Sequence, residues 1–357
     1  MINNKWIRLL VFLPIPIVMI VINYLVDPGG IFSNDNEEIA KSIVNGNKTL
    51  FFNGNVNERE VKHYLIKNMP EQVECIAVGP SLVMGVRKND VGTESFYNLG
   101  ESGADMYDIF AQFGLMQIYH KKFDRVVFCV DSYFFDETLN KTLILNKGLK
   151  PYAEYMLAVV DGKDVAKPDE KSLGLTNYSE LISPSYFKSS LDLIKRRGKS
   201  SLTGDRWIKV DGDVYEQGYY MPDGSWVYGL KIQRQDDAYV IDHSNKYDIK
   251  KQFSKGKHLG NYPKDSFEKL LMYLLAHNIQ VELYLCPVAP ALWDRIDTPG
   301  YYVMNELESY AHEVAAKYGL KITGSYNPYN LGMTNADFYD SRHVRHELLS
   351  KYFDFKP

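Results

Sequence analysis

The 357 residues carry 41 Lys and Arg against 45 Asp and Glu, a net charge of −4, which excludes the basic footprint of a nucleic-acid-binding protein. Apolar residues make up 45% of the chain, enough for a sizeable core, and the length fits one large domain with an insertion. The three cysteines, Cys75, Cys129 and Cys286, are too widely spaced for a disulfide framework or a zinc site.

The chain opens on an apolar segment. Leu9 to Ile22 reads LLVFLPIPIVMIVI, and the stretch from Trp6 to Val26 reaches the ~20 residues a helix needs to cross a bilayer. Pro14 and Pro16 are tolerable in such a helix. Lys5 and Arg8 precede it and no basic residue follows until Lys41, so the positive-inside rule keeps the N-terminus in the cytoplasm and exports the rest. The following NYLVDPGGIF has no small-residue cleavage pattern. Residues 1–30 are therefore expected to remain as a single-pass signal anchor in the cell membrane.

Residues 31–70 are polar and mixed, and read as a stalk and docking segment. An α/β rhythm then occupies residues 71–357. Val73 to Val78 (VECIAV) is a short buried strand ending at Gly79-Pro80. Phe96 to Leu99 is a second strand. Ala104 to His120 places Met106, Ile109, Phe110, Phe113 and Met116 at a helical period. Val126 to Val130 is a third strand, and strands separated by a helix imply a parallel sheet. Cys75, Cys129 and Cys286 fall in such runs and read as buried, inert thiols.

Between about 137 and 262 the rhythm breaks. This insertion reads as a helical part, Tyr186 to Arg197, and a β-hairpin. The hairpin turns at Pro222-Asp223-Gly224 and is flanked by Tyr219, Tyr220, Trp226, Val227 and Tyr228. Lys195-Arg196-Arg197 suits a solvated helix end. After Pro263 come an amphipathic helix (Lys264 to His277), a strand (Ile279 to Leu285) and a helix (Met304 to Tyr318). Asp337 to Phe355 runs through a polar loop into a terminal helix. The 27 tyrosines suit core filling or sugar stacking equally.

Parallel sheets place their chemistry at the C-terminal ends of strands. Four polar clusters belong there: Gly79-Pro80-Ser81, Asn98 to Gly103, Asp131-Ser132-Tyr133, and Asp337 to His343. A serine nucleophile needs a base, and the base needs an orienting acceptor. Asp340 and His343 are spaced to lie on one side of a tight loop, and Ser81 sits where backbone N–H groups point outward. Taken singly, Ser81 suits a helix N-cap, Asp131 a turn, and Asp340-x-x-His343 a surface pair. Asp337 is an alternative orienter, and His346 suits a helix surface. No H-E-x-x-H, paired-Cys, P-loop or strand-following G-x-G-x-x-G pattern occurs, so no metal or cofactor is expected.

Together these blocks resemble the SGNH/GDSL hydrolase superfamily. Gly79-Pro80-Ser81-Leu82 stands where that family has G-D-S-L, with Pro80 replacing Asp. Asn98 to Asp105 (NLGESGAD) is similar to its second block, and Asp340-Ser341-Arg342-His343 to its D-x-x-H block. Val130-Asp131-Ser132 occupies the place of G-x-N-D, so the family's oxyanion asparagine is missing. The resemblance implies a three-layer α/β/α, flavodoxin-like parallel sheet and a triad of Ser81, Asp340 and His343. Ser81, Gly103 and Ser132 become candidate oxyanion donors, and Asn98, Asp131 and Trp226 candidate substrate contacts. The anchor and the D-P-G-G-I-F start are similar to those of anchored ectodomain proteins of alginate O-acetylation and teichoic-acid D-alanylation. That likeness implies a serine esterase or O-acyltransferase acting on a cell-envelope polymer beside a membrane-bound O-acyltransferase. The alternatives are a non-catalytic glycan- or acyltransferase-binding partner and an envelope scaffold.

Overall fold

A strand with apolar side chains on both faces must be covered on both, and the central strands of this chain alternate in that way. The computed structural model describes residues 14–33, 35–51, 57–135, 148–168, 178–199, 201, 205–248, 258–296 and 303–353. In the first half these form α1 (Pro14–Val26), α2 (Asp35–Val44), β1 (Lys48–Phe51), α3 (Glu58–Asn68), β2 (Gln72–Val78), β3 (Phe96–Asn98), α4 (Met106–Ile118), β4 (Lys122–Val130) and α5 (Lys150–Val160). Next come α6 (Pro184–Arg197), β5 (Trp207–Val210), β6 (Tyr219–Tyr220), β7 (Trp226–Val227), α7 (Leu230–Gln233) and α8 (Asp237–Lys246). The chain continues with α9 (Asn261–Ala276), β8 (Gln280–Leu285), α10 (Pro290–Ile296), α11 (Val303–Tyr318), β9 (Lys321–Gly324) and α12 (His346–Tyr352).

Five strands build one parallel sheet in the order β3-β2-β4-β8-β9. The order reverses between β2 and β4, and in open α/β sheets the crevice at such a switch point is where ligands bind. On one face Val73, Ile76 and Val78 of β2 join Val126, Phe128 and Val130 of β4 and Val281, Leu283 and Leu285 of β8. Leu65 of α3, Ile109 of α4, Leu271 of α9 and Leu307 of α11 cover them. On the other face Cys75, Ala77, Val127, Cys129 and Tyr284 meet Val83, Val240, Phe338 and Leu349. All three cysteines are free and buried, and burial pushes the Cys75 thiol up to about 11.

The expected strands and helices recur with shifted ends, and the hairpin pairs Tyr219 with Val227 and Tyr220 with Trp226. Three features differ. β9 was not expected. Within the expected stalk and docking segment, Ile39, Ile43, Val61 and Leu65 are buried in the main core, and β1 pairs antiparallel with β5 and β6 in a second sheet, β5-β1-β6-β7. α5, within the expected insertion, packs on α4, with Tyr152 and Met156 in the main core.

The expected membrane crossing, Trp6 to Val26, falls only partly on the described residues. α1, Pro14–Val26, is the part of that segment among the described residues. No helix among the described residues is long and apolar enough to cross a membrane. Residues 6–13 of the expected span lie outside the described residues. The end of α1 is clamped to the insertion. The Asn23 amide donates to the Glu180 and Leu181 carbonyls, at 3.0 Å each. Asp27 accepts from Ile31 N (2.8 Å), Phe32 N (2.9 Å), Tyr186 OH (2.6 Å) and Arg206 Nη1 (3.2 Å).

Candidate active site

β2 ends against β4 so closely that a side chain at position 79 has no room. A Cβ on Gly79 would lie 2.7 Å from Cys129 Cβ and 2.9 Å from Cys129 O, and φ there is +142°. Only glycine meets both conditions without strain. The chain then turns through Pro80 into a 3-10 turn, Ser81–Val83, which presents Ser81 at the C-terminal edge of the sheet.

Asp340 and His343 occupy the loop before α12. The loop is closed by a Phe338–Val344 bridge and by Tyr339 N donating to His343 O at 2.8 Å. Asp340 Oδ1 accepts from Arg342 N (2.8 Å) and His343 N (2.9 Å), so the carboxylate organises its own loop. The same carboxylate takes His343 Nδ1 at 2.8 Å and 3.0 Å. Burial works against the Asp340 carboxylate, but the His343 charge and these hydrogen bonds outweigh it and hold its pKa well below the ordinary value. An ionised carboxylate only accepts, so Nδ1 carries a proton, and in the neutral imidazole Nε2 is then the acceptor. Ser81 Oγ lies 2.9 Å from that Nε2. Asp337 is turned away, accepting from Thr334 N at 2.7 Å, and His346 meets the Tyr339 hydroxyl.

These groups open into a cavity of about 200 Å³. Ser81, Leu82, Asp340, Ser341, Arg342 and His343 form one side, and Gly103, Asp131, Tyr133, His243 and Tyr247 complete the wall. A larger cavity of about 410 Å³, lined by Gln72, Phe113, Lys122 and His277 among others, includes none of these residues. It lies at the opposite, N-terminal end of β2 and β4.

The remaining predicted residues divide. Gly103 lines the cavity, with φ +62° and open space around it. Asp131 lines it too, but as an acceptor: its Oδ1 takes Ser132 Oγ (3.2 Å) and Tyr133 N (3.1 Å), and its Oδ2 forms a buried ion pair with Arg342 Nη2. Ser132 is thus turned toward Asp131 and is not among the lining residues. Asn98 is a brace rather than a wall. Its amide donates to Val83 O (2.7 Å) and Val86 O (2.8 Å), and its Oδ1 accepts from Gly100 N (2.8 Å). That ties the Ser81 turn to the Gly100–Gly103 loop. Trp226 stacks on Phe51 at 6.0 Å, and its backbone N–H donates to Met84 O at 2.7 Å. The hairpin therefore docks on the Ser81 turn, and Trp226 does not line the cavity.

Sequence reasoning missed Arg342 and His243. His243 Nδ1 lies 3.0 Å from Ser341 Oγ and accepts from Ser341 N at 3.4 Å. It comes from α8, and nothing local in the sequence joins it to Ser341, 98 residues away. Beside the second block, Glu101 is buried and pushed up to about 8, by burial first and by the Asp108 charge next, with Arg59 opposing. Arg59 itself is committed to Asp108 through two hydrogen bonds, 2.8 and 2.7 Å. Among the described residues no group of His, Cys, Asp and Glu is arranged to hold a metal ion.

The sequence matches no protein-family model and no curated protein. The chemical reading therefore rests on the geometry: a hydroxyl on an imidazole nitrogen, the other nitrogen on a carboxylate, and a cavity in front of the hydroxyl. That arrangement suits nucleophilic acyl transfer.

Proposed function

We propose that this protein is a serine esterase or O-acyltransferase of SGNH type, working through an acyl-serine at Ser81. The observation that carries the reading is the Ser81–His343–Asp340 chain of contacts, at 2.9 Å and 2.8 Å. Ser81 Oγ attacks the acyl carbonyl and gives its proton to His343 Nε2. Asp340 stabilises the imidazolium, and the same proton passes to the departing oxygen or sulfur. Water or a polymer hydroxyl then repeats the sequence on the acyl-serine. The sheet order, with its reversal between β2 and β4 beside the triad, supports the flavodoxin-like, three-layer form of the fold.

The acceptor is proposed to be a cell-envelope polysaccharide or teichoic-acid-like polymer, and the acyl donor a membrane-bound O-acyltransferase. Both come from the resemblance in sequence. An extracytoplasmic site next to the membrane is supported by α1, where Ile15, Ile17, Val18, Val21, Tyr24 and Leu25 are each 47% exposed or more. Leu9 to Leu13 continue the same apolar run in sequence. A second reading, a non-catalytic binding partner, is favoured by Asp131, an acceptor on a wall where acyl transfer needs donors.

Hydrolysis of a short-chain aryl acetate by the full-length protein decides between them. Ser81→Ala and His343→Ala should each lower the rate by about a thousandfold or more. A folded wild type no faster than Ser81→Ala would leave the binding reading standing.

A further inference from the structure

The tetrahedral intermediate of acyl transfer carries its negative charge on the former carbonyl oxygen, and a working site aims fixed donors at it. Of the side chains expected to help, Ser132 is turned to Asp131, and Asp131 as a carboxylate only accepts. We infer that Arg342 is the side-chain donor to this oxyanion and that Asp131 is its positioning residue. The inference rests on the acyl-serine reading.

Arg342 is 8% exposed and Asp131 1%, yet both line the cavity that holds Ser81 and Gly103. The guanidinium is held from several directions. Asp131 Oδ2 pairs with Nη2, the Tyr133 ring lies 5.9 Å away, and the Tyr247 side chain adds a hydrogen bond. Asp131 is fixed in turn to the end of β4 by Tyr133 N at 3.1 Å. Arg342 N donates to the same Asp340 oxygen that takes His343 N. One carboxylate thus sets the register of the guanidinium and of the general base.

The charge state suits the task. Alone, a buried guanidinium would be expensive, but paired with Asp131 it forms a unit of zero net charge. Such a unit presents polarised N–H groups without binding an anionic product tightly. In the reaction, the Ser81 Oγ–carbon bond forms as the carbonyl pair moves onto oxygen, and the serine proton goes to His343. Arg342 keeps all its protons and only donates hydrogen bonds. Collapse returns the pair and expels the leaving group, which takes the proton from His343.

Two double variants of the full-length protein test this, because removing one partner alone leaves the other buried and uncompensated. Asp131→Leu with Arg342→Met replaces the pair by apolar groups, a change that buried ion pairs often survive. It should melt close to wild type yet lose about 10²–10³ in kcat on the aryl acetate, with KM nearly unchanged. Asp131→Asn with Arg342→Met puts an amide donor back on the wall and should recover at least about tenfold of that loss. Phosphonate labelling of Ser81 should follow kcat in both. If the apolar pair keeps kcat within about threefold of wild type, Arg342 is structural and the inference falls. A loss that the amide does not recover also overturns it, since packing then explains the loss. A wild type lacking any Ser81-dependent rate removes the acyl-serine reading and this inference together.

Discussion

Replacing Asp340 by Asn separates the two tasks of this carboxylate. Oδ1 accepts from the Arg342 and His343 backbone N–H groups at 2.8 and 2.9 Å, and Oδ2 faces His343 Nδ1 at 2.8 Å. An amide can keep its carbonyl at the Oδ1 position, so both backbone donors remain satisfied and the loop should hold. Its NH₂ then faces Nδ1, where two donors cannot meet. The imidazole must shift its proton to Nε2, and that nitrogen can no longer take the Ser81 proton. A wrong tautomer in a triad costs about 10⁴ in kcat, or roughly 5 kcal/mol at 1.36 kcal/mol per tenfold. Asp340→Ala should instead strand two backbone N–H groups and lower stability by about 1–3 kcal/mol as well. The assay is aryl acetate hydrolysis alongside thermal unfolding. An Asp340→Asn variant that melts like wild type and retains more than a tenth of the wild-type rate would refute the tautomer argument.

Three further outcomes follow from the supports of the site. Asn98→Ala removes three buried hydrogen bonds, to Val83, Val86 and Gly100; chemical denaturation should show a loss of about 3 kcal/mol or more, with kcat reduced in the fraction still folded. Gly79→Ala forces a Cβ to 2.7 Å from Cys129 at positive φ and should cost about 3 kcal/mol or more; a melting temperature equal to wild type would contradict the close approach. Glu101 is raised from 4.5 to about 8, so the folded chain binds more protons than the unfolded chain across that window. Stability should then fall as pH rises from about 5 to 8, and Glu101→Gln should flatten this slope in melting curves recorded against pH.

The sequence made legible whatever is local. VECIAV, VVFCV and IQVELYL are short, largely apolar runs bounded by turns or helical stretches, a pattern that suits buried strands. Pro222-Asp223-Gly224 between aromatic residues marks its hairpin for the same reason. β1 and β5 escaped notice because Lys48–Phe51 finds its partner in Trp207–Val210, and a four-residue strand carries no periodicity of its own. β9, Lys321–Gly324, is an edge strand with one fully buried position, so its pattern is equally faint. The serine, histidine and aspartate could be placed from strand ends and a three-residue spacing. Arg342 could not, because its meaning depends on Asp131, 211 residues away. Asn98 was noticed for its place at a strand end, but its three acceptors and donors are backbone groups that only the folded chain brings together.

The small antiparallel sheet places the N-terminal segment and the nucleophile turn in one mechanical circuit. After α1 and α2 the chain enters β1, whose hydrogen bonds reach β6. β6 pairs with β7, and Trp226 N of β7 holds Met84 O at 2.7 Å. Asn98 N reaches Asp223 O in the hairpin turn at 2.7 Å. The residues flanking Ser81 are therefore joined by backbone hydrogen bonds to the small sheet as well as to the parallel one.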